Sequence, residues 1–251
     1  MLTLVQVTRD KEKSLWLLLA AHLIADFSLQ SADWAEKKTQ KFRYLAGHAV
    51  VYSAVIAAVG FLCIPGNIFW IPFTIIALSH FAIDWIRVHA DKTYKTPAAH
   101  FSSFVIDQML HVAIIYVSVC AFGLNEQTSS WLTDMASVAP VEQILRYALI
   151  FIIILDPASV FVKKLSIYVS GGTNNGGQKN EPPVGSVIGK LERILTVILV
   201  LCNEIGAIGF VLTAKSIARY KQLDNQNFAE KYLVGTLSST AIAIIAALLL
   251  K

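Results

Sequence analysis

Long apolar runs alternate with short polar connectors along most of the chain. Residues 44–64 hold no Asp, Glu, Lys or Arg, and Pro65-Gly66-Asn67 then signals a tight turn. Residues 68–88 are charged only at Asp84 and Arg87, and residues 101–123 only at Asp107. Residues 143–162 carry Arg146 and an internal Asp156-Pro157, residues 191–213 carry Glu204 near the middle, and residues 232–250 are uncharged. Residues 14–30 form a shorter apolar segment. A span needs about 20 predominantly apolar residues. The pattern predicts an all-α, polytopic transmembrane helix bundle of six or seven segments, some of them re-entrant or broken. All belong to one integral membrane domain over 1–251, with a flexible loop over 170–185.

Composition agrees. Hydrophobic residues make up 55% of the 251 and charged residues 15%, against about 25% charged in a soluble domain. The chain is not disordered, collagen-like or a disulfide scaffold. Its net charge of +4 is modest, so no nucleic-acid face is expected. Cys63, Cys120 and Cys202 lie in apolar stretches without CxxC spacing. Trp16, Trp34, Trp70, Trp85 and Trp131 lie near span ends, as an interfacial belt does. The polar stretch 171–178 and Gly185-x3-Gly189-Lys190 lack the full phosphate-loop motif. Arg9, Lys11 and Lys13 precede the first segment as they would in a signal peptide, but His22 and Asp26 interrupt it and no cleavage site stands out, so it is kept in the mature protein.

Lys and Arg set the orientation. Loops 31–43, 89–100 and 163–190 are basic, whereas 65–67 and 124–142 hold no Lys or Arg, so the first three are expected in the cytoplasm. The N-terminus and loop 214–231 are also basic. Both would lie outside if 14–30 and 191–213 spanned, unless those segments are re-entrant or broken; Asn203, Glu204, Gly206 and Gly209 supply a break in the second.

The chemistry lies in residues that lipid would reject. One segment carries His22-x3-Asp26 with Gln30 beyond, another His80-x3-Asp84, and a third Asp107-x3-His111 in reverse order; His48 opens a fourth. Residues four apart share a helix face. With alternating span directions, the reversal places three carboxylates in one layer and three imidazoles about 6 Å deeper. Ionisable groups inside spans are rare and default to function. Imidazole with carboxylate suits Zn²⁺, Mn²⁺ or Fe²⁺. His22, Asp26, His80, Asp84, Asp107 and His111 are therefore candidate metal ligands, with Asp26, Asp84 and Asp107 also candidate catalytic carboxylates. Gln30, His48, Glu192, Arg193, Lys215 and Arg219 are candidate substrate contacts; Lys215 and Arg219, four apart, can grip a phosphate together.

Several stretches carry a family resemblance: HLIADFSLQ (22–30), His48, SHFAIDW (79–85), IDQMLH (106–111), GKLER (189–193), AKSIARY (214–220) and AEKYLVGT (229–236). Over about residues 15–240 the chain resembles the domain-of-unknown-function 3307 family. That resemblance implies a polytopic protein of the bacterial inner membrane and implies no activity. The His-x3-Asp pairs are also similar to ligand pairs of cation diffusion facilitators. The expected function is a membrane-embedded, metal-dependent hydrolase acting on a lipid or isoprenoid phosphate at the cytoplasmic interface. The alternatives are a transporter of a divalent metal or small solute using the same cluster, and a non-catalytic binding or signalling subunit. The expected partners are the bilayer and a lipid-phosphate substrate; the oligomeric state is left open.

Overall fold

The structure, a computed structural model, describes residues 12–172 and 183–250, without the side chains of residues 183 and 184. Most of the polar stretch expected as a flexible loop, and the basic residues Arg9 and Lys11, lie outside the described residues. Among the described residues there are ten α-helices and no strand. They are α1 (Lys13–Leu23), α2 (Ala32–Gln40), α3 (Phe42–Cys63), α4 (Gly66–Thr93), α5 (Pro97–Ala121), α6 (Ser130–Val138), α7 (Val141–Val169), α8 (Pro183–Leu201), α9 (Ile205–Ala218) and α10 (Gln226–Leu250). The fold is an all-α helix bundle. Helices α3, α4, α5, α7 and α10 are long and apolar enough to cross a membrane, and α1 with α2 makes up to a sixth span, bent by 81°. The protein is thus built as a multi-pass membrane protein.

The helices fall into two compact units, Met1–Lys95 with Ser102–Leu149, and Thr96–Phe101 with Ile150–Lys251. In the first unit, α3 and α4 form an antiparallel hairpin. His48 meets Asp84, Tyr52 stacks on His80, and Gly60 faces Phe69. A Cβ at Gly60 would run into the Phe69 ring, so glycine permits the close approach. Helix α5 runs antiparallel to α4, with Arg87 on Asp107 and Ser103 on Asp91. Helix α1 runs antiparallel to both α3 and α5, through the pairs Asp26–His48, His22–Tyr52 and Phe27–Phe104.

Helices α1, α3, α4 and α5 each bury one stripe at a spacing of three to four residues. The stripe is apolar at one end: Leu18 on α1, Ile56 on α3, Ile76 on α4 and Ile115 on α5 are at most 1% exposed. Further along the same four stripes stand His22 and Asp26, His48 and Tyr52, His80 and Asp84, and His111 and Asp107. The outside is greasy, with Trp70, Ile71, Leu78, Ile86, Met109 and Tyr116 exposed. Polar inside and apolar outside is the arrangement a bilayer favours.

The second unit contains the break anticipated in 191–213. Helix α8 ends at Leu201, Asn203 takes a left-handed φ of 63°, and α9 starts at Ile205. Asn tolerates that conformation better than most residues. Lys215 on α9 then reaches back to Glu192 on α8 at 2.6 Å. The segment is therefore a helical hairpin rather than a span. A hairpin leaves loop 214–231 on the side where α8 began, which reconciles its basic character with the orientation rule. Glu204 sits exposed at this turn, and its side chain does not cap α9. A carboxylate in the middle of an apolar run calls for a basic or amide partner, and none is found for Glu204 among the described residues. The N-terminus is not reconciled in the same way. Ser14 Oγ donates to the Leu124 carbonyl at 2.8 Å, so α1 begins beside the loop expected outside.

Candidate metal centre

Asp26 reaches the core through an irregularity. Residues Ile24–Ser28 form a π-helical turn, with Leu29 N–H donating to the Ile24 carbonyl five residues back at 2.9 Å. Such turns are uncommon and concentrate at functional sites. Asp26 stands within it at 7% exposure. Its Oδ1 lies 3.0 Å from His48 Nε2 and 3.8 Å from His80 Nε2, while its Oδ2 accepts from Gln108 Nε2 at 2.7 Å. Asp84 and one oxygen of Asp107 are also engaged: Asp84 Oδ2 lies 3.4 Å from His48 Nε2 and 2.9 Å from Lys38 Nζ. Asp107 Oδ2 accepts from Arg87 at 2.9 Å and from Gln108 at 3.0 Å.

The imidazoles gather beside this layer. The rings of His80 and His111 stack with centroids 4.4 Å apart, and His22 lies 5.3 Å from His111 and 6.2 Å from His80. His22, His48, His80 and His111 are all at most 3% exposed. His22 Nε2, both ring nitrogens of His80 and of His111, and Asp107 Oδ1 are buried without a hydrogen-bond partner. Each such orphan costs about 1–3 kcal/mol. That many at one place identify a set of side chains suited to a ligand.

Two groups have the reach for a metal ion. Asp26, His48, His80 and Asp84 offer ligand atoms that all lie within 4.8 Å of one another, and so do His22, Asp26 and His111. Ligand bonds to Zn²⁺ are about 2 Å and tetrahedral, which sets the ligand atoms about 3.3 Å apart, so the residues present fit once the widest-set atoms draw together by up to about 1.5 Å. The six residues of the three His/Asp pairs are each at most 7% exposed, and five of them are in these two groups. Asp107 belongs to neither group and is held by Arg87 and Gln108.

Protein-family comparison supplies the assignment. The family model described as Protein of unknown function (DUF3307) matches residues 14–139. The chain belongs to the DUF3307 family. The DUF3307 match takes in every member of the cluster and stops before GKLER, AKSIARY and AEKYLVGT, so the resemblance of those motifs lies outside it. No curated protein and no solved structure matches the chain.

The remaining predicted contacts are placed as follows. His48, read as a substrate contact, stands among the candidate ligands. Gln30 follows the π-helical turn and belongs to neither group. Glu192, Arg193, Lys215 and Arg219 lie in the second unit. Lys215 is taken by Glu192 at 2.6 Å and lies over the Tyr232 ring, and Arg219 ends α9. Arg193, 4% exposed, donates to the Ile154 and Leu155 carbonyls and to Ser159 and Ser239. Pro157, whose missing N–H would have served the Ile153 carbonyl, lies in the same stretch of α7. The guanidinium thus serves the helix backbone.

Reasoning from sequence missed Lys38, Arg87 and Gln108 as members of the site. Arg87 and Gln108 stood in view as polar residues inside apolar runs. Lys38 did not, because it lies in a basic loop. It comes inward because α2 is docked by its own face: Trp34 Nε1 donates to the Tyr44 carbonyl at 2.9 Å, the indole packs on Gly47, and Lys38 is one turn further on.

Proposed function

We propose that this protein is a carrier of a divalent transition-metal ion in the bacterial inner membrane, and that Asp26, His48, His80 and Asp84 bind the ion in passage. The orphaned imidazole nitrogens in a closed core carry this reading. Mixed imidazole and carboxylate donors suit Zn²⁺, Mn²⁺ or Fe²⁺. Two further features support transport over hydrolysis. His80 and His111 stand near the middle of α4 and α5, and carriers bind near the bilayer midplane between discontinuous helices. The α1–α2 pair, whose π-helical turn carries Asp26, is interrupted. The test is metal uptake into proteoliposomes holding a metal-sensitive dye. Uptake by the wild type and its loss in Asp84→Asn and His80→Asn support the carrier; no uptake of any of the three metals overturns it.

A second reading is a hydrolase of lipid or isoprenoid phosphates. Lys38 and Arg87 favour it, since they bring positive charge to the carboxylates. The burial of every ligand stands against a lipid headgroup reaching them. Release of phosphate from a lipid phosphate by the wild type, abolished in His80→Asn, would move this reading ahead.

A further inference from the structure

His22 and His111 lie outside the four-residue ligand group yet are as deeply buried as its members, at 0% and 3% exposure. Their rings face each other at 5.3 Å, and with Asp26 they form a second triad of the same compactness. His22 Nε2 has no hydrogen-bond partner while its Nδ1 is 3.2 Å from the Tyr52 hydroxyl, and neither nitrogen of His111 has a hydrogen-bond partner, although Nδ1 lies 3.9 Å from Asp107 Oδ2. A tyrosine hydroxyl on one ring nitrogen orients the ring and leaves the other for a ligand. Asp26 is the shared residue, and its two oxygens face different ways. Oδ1 is turned to His48 and His80 of the first group; Oδ2 is turned to Gln108.

We propose that the core holds two ion positions that share Asp26: a first of Asp26, His48, His80 and Asp84, and a second of His22, Asp26 and His111. This rests on the cluster being a metal-binding site. The positions are adjacent stations of one path, and the ion passes from one to the other while Asp26 keeps hold of it. No covalent step is involved. Multiple adjacent sites let an ion bind firmly and still leave. The first position has two carboxylates and the second one, so the second is the weaker for a dication.

The test uses the full chain in detergent, titrated with Mn²⁺ and followed by bound-metal stoichiometry and electron paramagnetic resonance. The wild type should bind two equivalents in two steps. Its spectrum should change from an isolated Mn²⁺ to an exchange-coupled pair at the second step. His22→Asn combined with His111→Asn should bind one equivalent and keep the isolated spectrum, which also shows that the variant is folded. A wild type that stops at one isolated Mn²⁺ overturns the second position and leaves the carrier standing. So does a folded double variant that has lost both ions. A folded wild type that binds no Mn²⁺, Zn²⁺ or Fe²⁺ overturns the inference and the carrier together.

Discussion

Lys38 Nζ lies 2.9 Å from Asp84 Oδ2, in a pair with side chains only 7% and 2% exposed. An ammonium thus stands against a carboxylate of the first ion position, carried there by the short helix α2. An incoming dication and Lys38 compete for the same oxygens. Lys38→Met should therefore tighten Zn²⁺ or Mn²⁺ binding about tenfold or more, ~1.4 kcal/mol. It should also weaken the metal-free fold by about 3–5 kcal/mol, because Asp84 is left as a buried unpaired charge. The metal-induced rise in melting temperature should accordingly be larger in Lys38→Met than in the wild type. Equal affinities would mean that the lysine does not contest the site.

Arg193 and Ser239 should behave as a coupled pair. Arg193→Met removes the guanidinium that ties the Ile154 and Leu155 carbonyls of α7 and the Ser239 hydroxyl of α10 to α8, at about 1.5–3 kcal/mol for hydrogen bonds to a charged group. Ser239→Ala removes one of those acceptors. A double-mutant cycle on thermal unfolding in detergent reads the coupling, expected at about 0.5–3 kcal/mol for residues in one network. Strict additivity would refute the role of Arg193 as the tie between these helices.

Gly60→Ala should destabilise the α3–α4 hairpin by about 1–3 kcal/mol, the usual cost of overpacking. The added methyl meets the Phe69 ring, which is fully buried and has little room to retreat. Combining it with Phe69→Leu should restore most of the stability. An unchanged melting temperature in the single variant would show that the two helices do not approach this closely.

Single-cysteine labelling in a background lacking Cys63, Cys120 and Cys202 tests the topology. Positions 92 and 221 should react from the cytoplasmic side, and position 67 from outside. Position 221 is the informative one, because it follows the α8–α9 hairpin. Labelling of 221 from outside would mean that 191–213 crosses the membrane after all.

The sequence made the cluster legible because its rules are local. A His and an Asp four residues apart share a helix face, and lipid leaves such a pair only the protein interior. The reversed order of Asp107 and His111 fits the antiparallel α5, so the residue order alone brings the three pairs to one depth. Two features lay beyond that reasoning. The π-helical turn at Asp26 depends on how α1 packs, and no residue type announces it. The inward course of Lys38 depends on Trp34 docking α2 against Gly47 of α3, a tertiary contact. The break at Asn203 was visible as a polar interruption, but only the Lys215–Glu192 pair shows that α9 turns back along α8.

Elemental analysis of the full chain, purified from metal-replete cells and dialysed, tests the central claim most directly. The wild type should retain Zn, Mn or Fe in stoichiometric amount. Asp26→Asn, which alters the one residue common to both ligand groups, should retain none while still unfolding cooperatively on heating. A cooperatively folded wild type that carries no metal and takes up none on titration would contradict the account.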